Sequence, residues 1–310
     1  MKLLSMIPAV ILLIVTTASV VGGGALKNHF SKNVSSSLRW HYIFSAVSSV
    51  FSAVTIFAVG GFDTTASRFS VLLGLLFGIV IALQFIAFNE ALCYGPWSYT
   101  TVIVSLSTVI SAMSGVFLNG EVPSVFKYVG LVFMILCFVF SAKTDEKQDN
   151  RKANLAWILL SVLASLLCGG IGILQKAHQS SAEHKGEIVM FLVSAFIFSA
   201  VFSAVMAWIC SLREKRSKMA EMAEEKRVLA FGIPAIAGIF ILAGVLNGLN
   251  HIINLYLIGV IESALIFPLV NGADLIVATV LSVVLFKEKL SVKQWIGLAF
   301  GIIAVVILCF

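Results

Sequence analysis

Residues 43 to 47 read IFSAV, and residues 197 to 201 read IFSAV again. Working outward from these copies, other short strings return in the same order. Lys27-Asn28-His29 returns as Lys176-Ala177-His178, and ALCYG at Ala91 to Gly95 returns as LYLIG at Leu255 to Gly259. Glu121, Ser124, Val125 and Gly130 return as Glu288, Ser291, Val292 and Gly297 at identical spacing. One such match is within reach of chance where few apolar residue types dominate. Four in register describe an internal duplication, residues 154 to 310 echoing residues 4 to 142.

The duplicated unit belongs in a membrane. Of 310 residues 60% are hydrophobic and only 12% charged, and the mean hydropathy is +1.05, which excludes an ordinary water-soluble domain. A hydrocarbon core about 30 Å thick asks for roughly 20 apolar residues per helix. On that measure the chain predicts ten spans, near residues 4–25, 40–60, 69–92, 97–118, 125–142, 154–175, 188–211, 231–257, 261–286 and 292–310. The first span has the look of a signal peptide, with TTASVVGGGA as a small-residue region, but its match in the sixth span argues that it stays. Five spans per repeat is an odd number, so the second repeat enters the membrane from the opposite side. The expected class is therefore an all-α integral membrane protein, ten transmembrane helices in two inverted-topology repeats (1–142 and 154–310) joined by a loop at 143–153. Such repeats place small-molecule sites near the bilayer midplane and exchange access by rocking.

Charge and cysteine usage agree with this reading. The net charge of +6 is spread over short connections rather than gathered in a patch, so no nucleic-acid partner is expected. Sixteen Lys and Arg fall in the connections after spans one, three, five, seven and nine, against five elsewhere. By the positive-inside bias both termini lie outside the cytoplasm. The five cysteines sit inside apolar runs without metal-type spacing, and read as small core residues with no cofactor or metal implied.

Polar residues inside apolar spans are expensive and therefore informative. Span eight carries Asn247, Asn250, His251 and Asn254 at i, i+3, i+4 and i+7, one helical face. Span nine carries Asn271 and Asp274, three apart, and Glu90 near the end of span three aligns with Asn254. These seven are the candidate substrate-contacting residues. Counting from the turn between spans eight and nine, His251 and Asn271 lie at comparable depth, which predicts that the two faces meet, with Asp274 exchanging protons. The alternative is hydrogen bonding between helices, worth about 0.6 kcal/mol per residue. The polar stripes His41/Ser45/Ser48/Ser52 and Ser107/Ser111/Ser114 read as packing surfaces, and the GxxxG pairs Gly74/Gly78, Gly244/Gly248 and Gly297/Gly301 as internal packing, with a dimer face as the alternative. Lys27, His29, Lys176 and His178 recur at equivalent helix ends, which suggests a role beyond anchoring, with side chains reaching for headgroups as the simpler reading. Glu121 and Glu288 read as carboxylates at the N-terminal ends of spans five and ten.

Gly120-Glu121 with Ser124 and Gly130, Glu288 with Ser291 and Gly297, and the Gly95-Pro96-Trp97-Ser98 turn resemble the drug/metabolite transporter superfamily, specifically its ten-helix EamA-type permeases, over nearly the whole chain. The sequence departs from that pattern at Lys287, where Gly often precedes the second Glu, and in having no proline in span four to match Pro268 of span nine. The resemblance implies a secondary transporter, an exporter or exchanger of a small organic metabolite, in which one chain suffices. There is no Walker-type phosphate loop and no HExxH or GxSxG signature, so neither primary transport nor an intramembrane enzyme is expected. The competing reading is a structural or helper subunit that does not transport. Glu90 and Asp274 tilt the expected substrate toward a zwitterionic or cationic small metabolite. The expected setting is the cell membrane, with the lipid bilayer as partner and a monomer or homodimer as the assembly.

Overall fold

The computed structural model describes residues 8–34, 37–94, 100, 103–141, 155–214, 231–286 and 291–308. Among these there are ten principal helices: α1 (Ala9–Asn33), α2 (Leu38–Val59), α3 (Arg68–Tyr94), α4 (Ser107–Asn119), α5 (Val125–Ser141), α6 (Leu155–Ser180), α7 (Ile188–Glu214), α8 (Ile233–Val260), α9 (Ser263–Phe286) and α10 (Val292–Leu308). Six of them (α1, α2, α3, α6, α7 and α8) are long and apolar enough to cross a membrane; α4, α5 and α10 are shorter apolar helices, and α9 is apolar over Ser263–Ala273. This is an all-helical, multi-pass membrane protein.

Helix formation follows hydropathy, since backbone polar groups in hydrocarbon need partners within the segment. The ends differ from those expected. α1 and α6 run on to Asn33 and Ser180, so Lys27, His29, Lys176 and His178 sit within helical turns rather than beyond them. α2 begins at Ser37, whose hydroxyl accepts from the Trp40 N–H, an N-cap. α4 ends at Gly120, whose φ of +64° is left-handed, a conformation glycine adopts without a Cβ penalty. That turn lets the Glu121 N–H close onto the Gly115 carbonyl at 3.1 Å. Pro268 stands inside α9 and removes one backbone donor there.

The chain divides into two compact units that do not follow the sequence repeats. Unit 1 is Met1–Ile79 with Glu187–Asn254, and unit 2 is Val80–Gly186 with Leu255–Phe310. Each unit draws helices from both halves of the sequence. In unit 1, α2 packs along α7; in unit 2, α5 packs along α10, α6 along α4, and α9 against α4, α5 and α10. Thus α2/α7 and α5/α10 each join the helices holding the same place in the two halves.

The seams consist of small residues, which let helices approach where no hydrophobic gain drives them together. A Cβ at Gly74 would strike Ser194 and the Phe191 carbonyl of α7, and one at Gly78 the Ala195 carbonyl. Gly244 and Gly248 of α8 lie against the Ser48 and Ser52 carbonyls of α2. In unit 2, Gly130 meets Leu308 and Gly301 meets Cys137. Leu72, Leu76, Ile79 and Leu83 of α3 are exposed on another face, as suits side chains turned to lipid. Phe30, Phe44 and Phe240 form an aromatic core in unit 1, and Met134, Cys137, Phe138, Ala304 and Leu308 form one in unit 2.

Register across the α2/α7 seam is set by serine pairs. Ser45 Oγ lies 3.0 Å from Ser203 Oγ, and Ser49 Oγ lies 3.3 Å from Ser199 Oγ. As numbers rise along α2 they fall along α7, so the two helices are antiparallel. By the IFSAV alignment Ser45 corresponds to Ser199 and Ser49 to Ser203, so the two bonds are reciprocal. The same order holds at α5/α10, where Gly130 meets Leu308 and Cys137 meets Gly301.

Candidate functional site

Four of the seven candidate residues lie on α8 within unit 1. All four are half-buried, so this polar face is turned toward protein for much of its surface. Asn247 Nδ2 donates to Ser52 Oγ of α2 at 3.1 Å. Ser52 Oγ lies 2.9 Å from both the Gly244 and Ser48 carbonyls, so the GxxxG seam and the Asn247 bond reinforce one another. Asn250 Oδ1 accepts from Thr16 Oγ1 of α1 at 2.6 Å. Two of the four polar groups therefore hold α1 and α2 against α8.

His251 is differently placed. Its ring meets Phe77 of α3 (centroids 6.3 Å apart, planes at 79°) and Phe196 of α7 (4.9 Å, 69°), edge-to-face arrangements favoured by the aromatic quadrupole. Phe77 packs in turn on Phe191. The Nδ1 atom of His251 is buried with no hydrogen-bond partner. Asn254, a turn further on, ends unit 1.

Asn271, Asp274 and Glu90 belong to unit 2. Asn271 Nδ2 donates to Thr108 Oγ1 of α4 at 2.8 Å, tying α9 to α4. Glu90 is half-buried on α3. α9 passes through Asp274, whose side chain lies outside the described residues, as does Glu288.

A second polar cluster appears at one end of unit 2, where α4, α6 and α8 finish and α5 and α9 begin. Glu121 Oε1 forms an ion pair with Lys176 Nζ at 2.5 Å, and the two side chains are only 14% and 6% exposed. Glu121 Oε2 accepts from the Ser263 N–H at 2.9 Å. Lys127 pairs with Glu262 beside it, and Ser180 Oγ donates to Asn119. The Glu121 carboxylate fills the space over Gly115, where a Cβ would collide with it. This corrects two expectations. Glu121 serves the N-terminus of α9 rather than α5, because the left-handed turn at Gly120 throws its side chain back across the helix ends. Lys176 and His178 are buried rather than reaching for headgroups; a counter-ion within reach offsets the burial of the Lys176 charge.

The serine stripes are packing surfaces, as read. Ser45 and Ser48 bond across to α7 and to the Phe240 carbonyl of α8, and Ser111 lies against Gly172 of α6. Sequence reading missed Thr16, although a hydroxyl in a long apolar span was the available signal. It also missed Ser199 and Ser203, which the IFSAV alignment marks as equivalents of Ser45 and Ser49. The aromatic residues around His251 gave no sequence signal, since phenylalanine is common throughout the chain. Among the described residues no group of three or more His, Cys, Asp and Glu side chains is placed to hold a metal ion. In the loop after α2, hydrogen bonds from the Thr65 hydroxyl and N–H hold the Asp63 carboxyl below the usual carboxylate range, a local turn with no link to the polar clusters.

A model of the EamA-like transporter family matches residues 155–310. No curated protein matches the sequence. A solved crystal structure is similar over 96% of this chain and 95% of its own, with a TM-score of 0.61 and 15% identity, a likeness of fold alone. The family is one of membrane transporters and not of enzymes, in keeping with the apolar helices. With half of its length accounted for by that model, the chain belongs to the EamA-like transporter family.

Proposed function

We propose that this protein is a secondary transporter of a small organic metabolite, working by alternating access between two inverted-topology repeats. The observation that carries the reading is the reciprocal, antiparallel seam of α2 and α7, Ser45 with Ser203 and Ser49 with Ser199. Equivalent helices that meet antiparallel are what a pseudo-twofold axis in the membrane plane produces, and repeats so related exchange two access states by a symmetric rearrangement. Within unit 2, the antiparallel α5/α10 contact is of the same kind.

The polar face of α8 is the substrate-contacting element of unit 1, with Asn271, Asp274 and Glu90 assigned on the same ground in unit 2. Polar groups kept in apolar spans mark substrate or ion pathways. Asp274 is the proton-exchange group, and the cargo is a zwitterionic or cationic metabolite. The protein acts in the cell membrane as a monomer or homodimer, with both termini outside the cytoplasm. A cytoplasm-restricted reporter fused after Phe310 tests that orientation, and activity from it reverses the assignment. The helper-subunit reading draws on a specific observation, that Asn247, Asn250 and Asn271 each bond to a neighbouring helix.

A metabolite screen by thermal shift on the purified protein separates the two readings, because a ligand that binds the native state raises its stability by mass action. Selective stabilisation, followed by flux of that compound in proteoliposomes, supports transport. No stabilisation by any metabolite class and no flux favour the helper role.

A further inference from the structure

The α8 face holds groups bonded to neighbouring helices and a ring with a buried nitrogen that is not. Asn247 and Asn250 are engaged by Ser52 and Thr16. His251 is held by ring packing alone, with Phe77 and Phe196 meeting it edge to face.

Nδ1 is buried without a partner, although the residue as a whole is only half-buried. Nε2 is therefore the nitrogen on the side left open. An orphaned buried polar group costs about 1–3 kcal/mol, and one retained in a native structure asks for a reason. A buried N–H without an acceptor is rarer than an under-used acceptor. The neutral imidazole accordingly keeps its bare lone pair at Nδ1 and its hydrogen at Nε2. The ring that leaves Nδ1 buried without a partner thereby presents an Nε2–H donor beside the polar face.

We propose that His251 is a substrate-binding residue that donates from Nε2–H to an oxygen acceptor on the cargo, with Phe77 and Phe196 as the wall that orients it. The cargo class is thus a small molecule bearing a carboxylate or carbonyl oxygen, whatever its amine carries. This rests on the transport reading and refines it, since a purely cationic amine offers His251 nothing to bind.

Two measurements test it. The first needs no ligand: nitrogen NMR of [15N]histidine-labelled protein in lipid at pH 8, with His251 assigned by loss of its signals in His251→Phe or, if that variant folds poorly, His251→Gln. A protonated Nε2 with a bare Nδ1 is expected, and the opposite tautomer overturns the donor assignment. The second is thermal shift with the common amino acids, their carboxamides and the corresponding amines as probes. Acids and carboxamides stabilise the wild type and the amines do not. His251→Phe loses the shift, while His251→Gln, which keeps a donor, retains part of it. Stabilisation of His251→Phe equal to wild type, or by amines alone, overturns the proposal. If none of these probes stabilises the wild type and the wider metabolite screen also finds nothing, the transport reading fails while the tautomer still decides the donor assignment.

Discussion

The buried ion pair in unit 2 gives the sharpest quantitative expectation. Glu121 and Lys176 are 14% and 6% exposed with their charged atoms 2.5 Å apart, and the Glu121 carboxylate also holds the Ser263 N–H. Removing one member of a buried pair strands the other charge and costs about 3–5 kcal/mol. The residual exposure of Glu121 puts each single change near the lower end, about 3 kcal/mol for Glu121→Gln or Lys176→Met. The double variant strands no charge, so its loss is expected to be smaller than that of either single change and far below their sum, a strong coupling between residues in contact. At about 2–4 °C per kcal/mol, each single variant melts roughly 6–12 °C below wild type, and the double melts above either single variant. Melting is compared in one detergent at one scan rate, because unfolding of such proteins is commonly irreversible. Gly115→Ala adds an independent arm. Its Cβ displaces the carboxylate, so it is harmful in the wild type and nearly neutral in a Glu121→Ala background. Additive single variants, or a Gly115→Ala effect that persists without the carboxylate, would refute the account of this cluster.

Further outcomes follow from the seams and the polar faces. Gly244→Ala and Gly248→Ala place a methyl 2.6 Å from the Ser48 carbonyl and 2.7 Å from the Ser52 carbonyl; overpacking of about 1–3 kcal/mol lowers the melting temperature. Gly23→Ala, with nothing within 4 Å, leaves it unchanged or raised, since alanine is the better helix former by about 1 kcal/mol. Asn247→Ala and Asn250→Ala each lose an interhelical bond worth about 0.6 and at most roughly 1.7 kcal/mol, a loss of a few degrees, and a drop as large as that of Lys176→Met would show that more than one bond was involved. Asp274→Asn expresses normally but loses transport or its pH dependence, whereas Ser111→Ala is mild. Wild-type flux and pH dependence in proteoliposomes carrying Asp274→Asn leave that residue a structural part.

Hydropathy and duplication were legible because both are one-dimensional. Ten apolar stretches, the matched IFSAV strings and the small-residue pairs of α3 and α8 need only composition and spacing, and the membrane dictates helices for such stretches. The serine stripes and the Asn247–Asn254 face followed from a periodicity of 3.6 residues. What each face meets depends on how a helix is rotated and how far it slides along a neighbour distant in sequence, and no local pattern encodes either. Hence Glu121 was visible as a carboxylate at a helix start, yet only the tertiary structure turned it toward Lys176 and the Ser263 N–H. Asn250 and His251 are adjacent in sequence and share a face, but packing gave one a threonine from α1 and the other a wall of phenylalanines. The sequence alone determined an all-helical, multi-pass membrane protein with polar groups in its eighth and ninth apolar stretches. Tertiary packing decided which of those groups bond to a neighbouring helix and which has a nitrogen left without a partner, because burial and partners arise only where helices meet.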